Sequence, residues 1–353
     1  PPPPDSDFAR PKFINQKERY DKQLLKPTPD IPPSHFLTHF PMHPDCPHCQ
    51  ECKMKHARHG TKKVHEPPDP DTTIPLKFGD QQTCDHTFSH DGEHSVKDHR
   101  CSLVIYDRAT HWVDALPGKT NNAHETKSAL IKFNGDLIPK AMYSDCAPEL
   151  KLACDELGYP HNTCLPFRPQ SNGVSERAVG KVKEGARTLL VTSGLKPFWW
   201  HFAVRCYCFL HNVTTMCVRV AGAKQATLTP FQARYDCDFT GPLIPFGSYV
   251  SYKPANKNYK DEAHSFGEQT RSGIFFGYRL EVGGRWTNKL NIVDMEQLQN
   301  ASHPTRIKPT AVHYKDVVHE TTDGKSYFPC KTGIVSQNSV KHLYADVDPT
   351  HKV

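Results

Sequence analysis

The chain has 353 residues, of which 37% are hydrophobic, and its mean hydropathy is −0.64. This length allows two or three domains, while the 31 prolines indicate that a sizeable part is linker or tail. The net charge of +6 favours a polyanionic partner without establishing one. The longest apolar stretch, 198–210, is shorter than a bilayer requires and is interrupted by His201 and Arg205, so we expect a soluble protein without a membrane partner.

The ends and the cysteines also limit the class of protein. The chain starts at Pro1 with neither an initiating methionine nor a signal peptide, so we expect a piece of a longer polyprotein. Thirteen cysteines is an odd number, and several lie in apolar runs, which favours reduced, buried thiols.

The first 75 residues divide into three predicted segments. Residues 1–33 are rich in proline and have no apolar period, so we expect a disordered tail. Residues 34–65 hold a dense group of cysteines and histidines. Residues 66–75 contain several prolines and are predicted to be a linker.

The main domain is predicted to span 76–225 and to alternate strands with helices. Its predicted strands are 82–88, 101–106, 112–116, 141–144 and 163–165. Its predicted helices are 122–133, 148–157, 174–193 and 198–212. This order predicts a mixed sheet between helices. Residues 240–298 favour a small all-β module, and residues 299–353 are predicted to be irregular.

Three carboxylates are placed unusually in this pattern. Asp85 lies in the middle of the first predicted strand, Asp145 follows the fourth, and Glu176 lies in the first turn of the long helix. Taken singly, an aspartate at a strand end or a glutamate in a first turn is usually a cap or a dipole partner. Taken together, they could form a cluster that two Mg²⁺ or Mn²⁺ ions neutralise, which is the arrangement that phosphoryl transfer on nucleic acid uses.

The residues around these carboxylates resemble the catalytic signature of retroviral and retrotransposon integrases. The string 168–177, which reads RPQSNGVSER, and the pair Ser144-Asp145 are similar to its second half, and 83–87 is similar to its first strand. The resemblance implies a ribonuclease-H-like five-stranded sheet in an enzyme that transfers polynucleotides, with Asp85, Asp145 and Glu176 as catalytic metal ligands.

The resemblance also implies residues that contact DNA. Asn172 and Gly173 match the mobile loop before the catalytic helix, and Lys183 matches a helix position that meets phosphate. The predicted basic face of the same helix is completed by Arg177, Lys181 and Arg187. Ordinary solvation of the helix is the alternative for each cation. The sequence departs from the family's pattern in two ways that affect the geometry of the loop after Asp145. Only 30 residues separate Asp145 from Glu176, and Cys146-Ala147 replaces the Asn-Gly usual after the second aspartate.

The Cys/His segment resembles the zinc-binding N-terminal domain of integrases. Cys46 and Cys49 form a C-x₂-C pair, and His39 is a candidate third ligand. The 6 residues between His39 and Cys46 are fewer than the family places between its two pairs, so the module is degenerate or rearranged. A surface segment of free thiols is the alternative, and the complete ligand set stays open.

Residues 245–247 and 273–278 resemble the region after the catalytic core in copia-type integrases, which implies a Src-homology-3-like barrel for DNA binding or assembly. The whole pattern therefore predicts a retrotransposon integrase fragment that processes 3′ ends and joins element DNA to target DNA. Double-stranded DNA, a homo-oligomer and the nucleus are the implied partners and location. The alternatives are a decayed or domesticated integrase that binds DNA, a transposase, and a ribonuclease if a fourth carboxylate, such as Asp107, joins the site.

Overall fold

The computed structural model describes residues 31–53, 75–90, 93–163, 173–221, 224–254, 267–322 and 324–335. The predicted tail up to residue 30, the linker 66–74 and Asn172 lie outside these ranges. Among the described residues, no helix is both long and apolar enough to cross a membrane.

The first sheet has five strands in the order β3-β2-β1-β4-β5. Their bounds are β1 Gln82–Phe88, β2 Cys101–Asp107, β3 Val113–Gly118, β4 Met142–Ser144 and β5 His161–Thr163. The first three strands are antiparallel neighbours, whereas β4 is parallel to both β1 and β5. This mixed sheet with flanking helices is the ribonuclease-H-like arrangement, so the predicted fold class of the main domain is confirmed.

The helices of this domain lie on both faces of the sheet. They are α3 Ala123–Asn134, α4 Pro148–Leu157, α5 Gly173–Ser193 and α6 Trp200–Thr214. The side chain of Asn122 caps the start of α3 by accepting a hydrogen bond from Glu125 N–H, and α4 ends at Gly158, whose φ of +66° favours glycine. Local sequence therefore sets both helix ends.

Alternate side chains of β2 belong to two different apolar cores, one on each face of the sheet. Leu103 and Ile105 pack with α3 and α4 on one face of the sheet. Val104, between them, packs with residues of α5 and α6 on the other face. Successive side chains of a strand point to opposite faces, so each core is filled by every second residue.

The second sheet is antiparallel and has the order β11-β10-β9-β8-β12. Its strands are β8 Tyr249–Tyr252, β9 Arg271–Leu280, β10 Trp286–Asp294, β11 Thr310–His313 and β12 Val317–His319. Among the described residues it is open, with β11 and β12 at its edges, and is not the expected closed barrel. Two of its strands lie within 299–353, which the sequence analysis predicted to be irregular. These two strands are only four and three residues long, which is too short for a strand pattern to be recognised in the sequence.

The second sheet shares the core of α5 and α6. Trp199 contacts Phe276 of β9 edge to face, with ring centroids 5.0 Å apart, and Phe209 lies 4.4 Å from Tyr278. Gly277 lies against Cys206, where a side chain would be crowded. The predicted all-β module is therefore packed onto the main domain and buries the apolar face of α6.

Four short α-helices and two β-hairpins are also present in the described chain. They are α1 His35–Thr38, α2 Pro47–Lys53, the hairpin β6 Cys217–Ala221 and β7 Lys224–Leu228, α7 Pro230–Tyr235, α8 Met295–Asn300, and the hairpin β13 Thr321–Thr322 and β14 Lys325–Ser326. Leu37 of α1 belongs to the same apolar core as α5 and α6, so the Cys/His segment is also docked on the main domain.

Candidate functional site

Asp85 lies on the face of the first sheet that α5 covers. It pairs across the strands with Val104, whose side chain packs in the α5 and α6 core. Opposed residues of neighbouring strands share a face. Cys84, the residue before Asp85, packs in the core on the other face. The alternation of β1 therefore presents the Asp85 carboxylate to α5.

Asp145 directly follows β4 and lies beside Asp85. In the parallel pair of β1 and β4, Gln82 aligns with Met142 and Thr83 with Tyr143. The same register, continued along both strands, brings residue 145 level with residue 85. One carboxylate oxygen of Asp145 accepts the Ala147 N–H at 3.2 Å, which fixes the turn into α4.

Glu176 supplies the third carboxylate from the first turn of α5. Its side chain is exposed, while its neighbours Ser175 and Ala178 are buried against the sheet. The pKa of Asp85 is raised to about 6, chiefly by burial and then by the charges of Asp145 and, more weakly, Glu176, against a hydrogen bond from the His86 backbone that lowers it. The structure thus brings the three predicted carboxylates into one electrostatic neighbourhood.

These carboxylates are not drawn into a compact group. In the described part of the chain, the group of side chains close enough to hold a metal is a different one, formed by histidines and cysteines. Three like charges repel one another, so tight convergence requires a cation between them. Carboxylate oxygens suit Mg²⁺ and Mn²⁺. The raised pKa of Asp85 comes from burial first and from the charges of Asp145 and Glu176 second.

Asp107 has a structural role apart from these three carboxylates. It is fully buried and accepts hydrogen bonds from Gly79 N–H at 2.7 Å and from Thr110 N–H at 2.8 Å. Those bonds hold the turn between β2 and β3 and the approach to β1. Asp107 therefore does not supply a fourth carboxylate to this group.

The predicted basic face of α5 divides into exposed and inward-facing cations. Lys183, Arg177 and Arg187 are exposed, and Gly173 is the first residue of the helix. Lys181 differs from the prediction. Its ammonium lies 4.3 Å from the centre of the Phe40 ring and 3.0 Å from Nε2 of His211, and burial lowers its pKa. It therefore fastens the Cys/His segment to α5 and α6 instead of facing solvent.

A second candidate site is a buried His₂Cys₂ cluster in the Cys/His segment. Its ligand atoms, from His35, His39, Cys46 and Cys49, all lie within 4.8 Å of one another. Cys49 Sγ is 3.3 Å from His35 Nε2 and 3.7 Å from His39 Nδ1, and Cys46 Sγ is 3.6 Å from His39 Nδ1. In tetrahedral zinc coordination, Zn–S and Zn–N bonds of about 2.3 and 2.0 Å separate sulfur from nitrogen by roughly 3.6 Å. The donor set and its spacing therefore suit zinc.

His35 is the ligand that the sequence analysis did not assign. It begins α1, and His39 follows that single turn in a left-handed conformation with a φ of 51°. Spacing of four residues places both rings on one side of the turn, which is the signal that could have identified the pair. The short stretch from His39 to Cys46 is sufficient because Cys46 lies just before α2 and Cys49 lies in its first turn.

Neighbouring residues orient the cluster. Thr192 Oγ1 lies 3.0 Å from Nε2 of His39, the nitrogen that does not face the thiols. Lys53 donates to the His39 carbonyl at 2.6 Å. Burial lowers the pKa of His35 to about 4 and that of His39 to about 3, so both rings are neutral at physiological pH, the form that binds metal.

Comparison with models of known protein families finds no match. Two solved structures align with the chain at low similarity. The catalytic core domain of BIV integrase is 19% identical with a TM-score of 0.32, over 45% of this chain and 95% of that one. The simian T-cell lymphotropic virus intasome in complex with PP2A regulatory subunit B56 gamma is 15% identical with a TM-score of 0.32, over 70% of this chain and 84% of that one.

Proposed function

We propose that this chain is a retrotransposon integrase fragment that processes the 3′ ends of element DNA and joins them to target DNA. The observation that carries the proposal is geometric: Asp85 lies in β1, Asp145 follows the parallel neighbour β4, and Glu176 lies in the first turn of the helix that packs on β1. Each of these residues lies in one of the three segments that carry the resemblance, 83–87, 144–145 and 168–177, and the fold is the one that the resemblance implies.

The positions of the three carboxylates suit two-metal phosphoryl transfer. Asp85 lies in β1 and Asp145 directly follows the adjacent parallel strand β4, so the sheet limits the distance between them. Glu176 comes from a helix that packs on β1 and β2, which lets it approach from above the sheet. Two Mg²⁺ or Mn²⁺ ions, when bound, would activate the attacking oxygen and stabilise the leaving oxygen of a phosphodiester. The protein's own contribution is to hold the three carboxylates in place. The bound cations would offset the repulsion between these carboxylates and so favour their ionised form.

Exposed cations beside the carboxylates suit a double-stranded DNA substrate. Lys183 and Arg187 follow Glu176 along α5, and Arg177 lies next to it. Lys183 is seven residues after Glu176, which is about two helical turns and therefore the same face. Cations placed there can neutralise DNA phosphates while the carboxylates hold metal. Joining two element ends would further require a homo-oligomer, acting in the nucleus.

The His₂Cys₂ cluster has a structural part in this proposal. Zinc bound there would join α1 to α2. The Cys/His segment also contacts α5 directly, because Lys181 packs on Phe40 and Thr192 bonds to His39. In addition, Arg187 donates to the Cys52 carbonyl at 3.3 Å. The helix that carries Glu176 is therefore contacted by the Cys/His segment along its length.

A strand-transfer assay tests the proposal. The purified chain, with zinc and Mg²⁺ or Mn²⁺, is mixed with short duplexes from the element's own termini and with plasmid target. We expect metal-dependent joining that is lost in Asp145→Asn and in Glu176→Gln and kept in Asp136→Asn, an exposed carboxylate of the loop after α3. Joining that survives either active-site substitution would contradict the proposed site.

A decayed or domesticated integrase that binds DNA without turnover is the second candidate. Cys146, which replaces the usual residue after the second aspartate, is exposed beside the carboxylates, and the three carboxylates do not form a compact group. No joining by a folded protein that binds DNA and zinc would favour this candidate. Cys146→Asn combined with Ala147→Gly would then show whether those departures caused the loss.

A further inference from the structure

A cleft of about 820 Å³ lies between the two sheets, apart from the carboxylates. Its walls are the edge strand β3, helix α3, helix α6 and strand β9. The tip of the β9–β10 hairpin is attached to α3 by a hydrogen bond of 2.9 Å from Gly283 N–H to the Lys132 carbonyl. The volume falls within the range of about 300–1,000 Å³ typical of small-ligand sites. None of the three proposed metal ligands lines it.

Positive charge predominates on the cleft walls. Five cations line it, against two carboxylates, Glu125 and Glu281; the cations are Lys97, Lys119, Lys132, Arg205 and Arg279. Arg205 is already paired with buried Asp114 at 3.1 Å. Lys119, Lys132 and Arg279 are exposed and have no ion-pair partner among the residues that the structure describes. Such an excess of unpaired cations around a concave site favours a phosphorylated ligand.

A buried histidine gives the cleft a polar recognition group. His201 is only 4% exposed and lines the cleft, yet neither ring nitrogen makes a well-formed hydrogen bond to a described residue, beyond a weak contact with the Phe198 backbone. The ring of His99 lies 5.2 Å away and also lines the cleft, and its Nδ1 has no described partner. Burying unpaired polar atoms costs free energy, which a ligand that supplies donors and acceptors would offset.

The rest of the lining is apolar and partly aromatic. Phe202 is half-buried at the cleft, with Phe276 5.5 Å from it, and the Lys97 ammonium lies 5.2 Å from the Phe202 ring centre. Leu116 of β3 and Leu280 of β9 add to this surface. An aromatic and apolar wall next to lysines is the combination that accepts a base together with its phosphates.

We propose that this cleft binds a nucleoside phosphate, with the base against Phe202 and His201 and the phosphates at Lys119 and Lys132. The cleft does not include the carboxylate site, so the two can be tested separately. The same chemistry could come from a free nucleotide or from the terminal nucleotide of a single nucleic-acid strand.

Binding of ATP, inorganic tripolyphosphate and a 5′-phosphorylated single-stranded decamer to the full chain tests this proposal, by calorimetry without added Mg²⁺ or Mn²⁺. The first variant is Lys119→Glu with Lys132→Glu. Its control is Lys308→Glu with Lys315→Glu, two exposed lysines outside the cleft that give the same net charge. His201→Phe removes the ring nitrogens while keeping an aromatic ring, and each variant's unfolding temperature is measured alongside.

We expect the cleft double variant to weaken ATP and tripolyphosphate binding by roughly tenfold or more, and the control to change it little. His201→Phe should weaken ATP and leave tripolyphosphate unchanged. A decamer that displaces ATP at lower concentration than free nucleotide identifies the strand terminus as the ligand, and failure to displace it identifies free nucleotide. Equal losses in cleft and control variants, or no binding of any probe to the unmodified chain, would overturn the proposal.

Discussion

Thr192 Oγ1 lies 3.0 Å from Nε2 of His39, so the last turn of the helix that carries Glu176 contacts the His₂Cys₂ cluster. His39 presents its other nitrogen, Nδ1, to both thiols. A bond to the second nitrogen of a metal-ligating histidine fixes the ring orientation. The His₂Cys₂ cluster and the helix that carries Glu176 are thereby joined through the imidazole of His39.

Thr192→Val keeps the shape of this side chain and removes its hydroxyl. We expect zinc affinity to fall by about 10- to 100-fold, because the His39 ring loses the partner that orients it. Competition with a chromophoric chelator measures the affinity. Thr214→Val is the matched control, since among the described residues its hydroxyl donates to the Leu210 carbonyl within α6 and does not contact the cluster. An unchanged zinc affinity in Thr192→Val would show that this contact with α5 does not orient the His39 ring for metal binding.

Asp85 should make stability depend on pH in the absence of divalent metal. Its folded-state pKa of about 6 lies above the ordinary value of 3.8, so the folded state binds more protons between these values and loses stability as pH rises through this window. Asp85→Asn should therefore raise the free energy of unfolding by about 1–2 kcal/mol at pH 7, after allowance for solvent screening, and by much less at pH 4. Urea unfolding at both pH values measures the change. The same gain in Asp136→Asn would show that the effect is not specific to the site.

Lys183 and Lys181 should differ in their effect on DNA binding. Lys183 is exposed, whereas Lys181 lies against Phe40 and His211. Lys183→Ala should lower the slope of log affinity against log salt by about one, since one phosphate contact is lost. Lys181→Ala should leave the slope unchanged and lower the unfolding temperature. The reverse result would mean that Lys181 turns outward when DNA binds.

Arg234 should be a major contributor to the attachment of the second sheet. Its guanidinium lies 3.6 Å from the centre of the Phe78 ring and donates to the carbonyls of Phe133 at 3.0 Å and Gly283 at 2.6 Å. Arg234→Met would leave both carbonyls without this donor, and we expect a loss of about 2–4 kcal/mol in chemical denaturation. Arg285→Met, at an exposed arginine 5.8 Å from the Tyr235 ring, should cost under about 1 kcal/mol. Similar losses in both variants would contradict this role for Arg234.

The first sheet could be predicted from the sequence because its signals are local. The apolar run of β2, the cap at Asn122 and Gly158 after α4 each set an element within a residue or two of its observed bounds. The placement of Asp85, Asp145 and Glu176 followed from that order of elements together with the family resemblance. Their catalytic role stays a prediction.

Three features could not be predicted from the sequence, because each depends on contacts between residues that are far apart along the chain. The inward position of Lys181 depends on Phe40, which is 141 residues away along the chain (181 − 40), and no helical period encodes it. Helix α6 covers one face of the open second sheet through contacts such as that of Phe202 with Phe276. The sheet therefore buries its apolar face without forming the expected barrel. The nucleotide-sized cleft exists only because that sheet docks on the first.

The central claim is that three carboxylates jointly bind a divalent metal, and Mn²⁺ binding tests it most directly. The zinc-loaded full chain is titrated with Mn²⁺ and free Mn²⁺ is followed by its electron paramagnetic resonance signal. We predict binding that is lost when Asp85→Asn and Asp145→Asn are combined and is kept in Asp136→Asn. Equal Mn²⁺ binding by all three proteins would contradict the account.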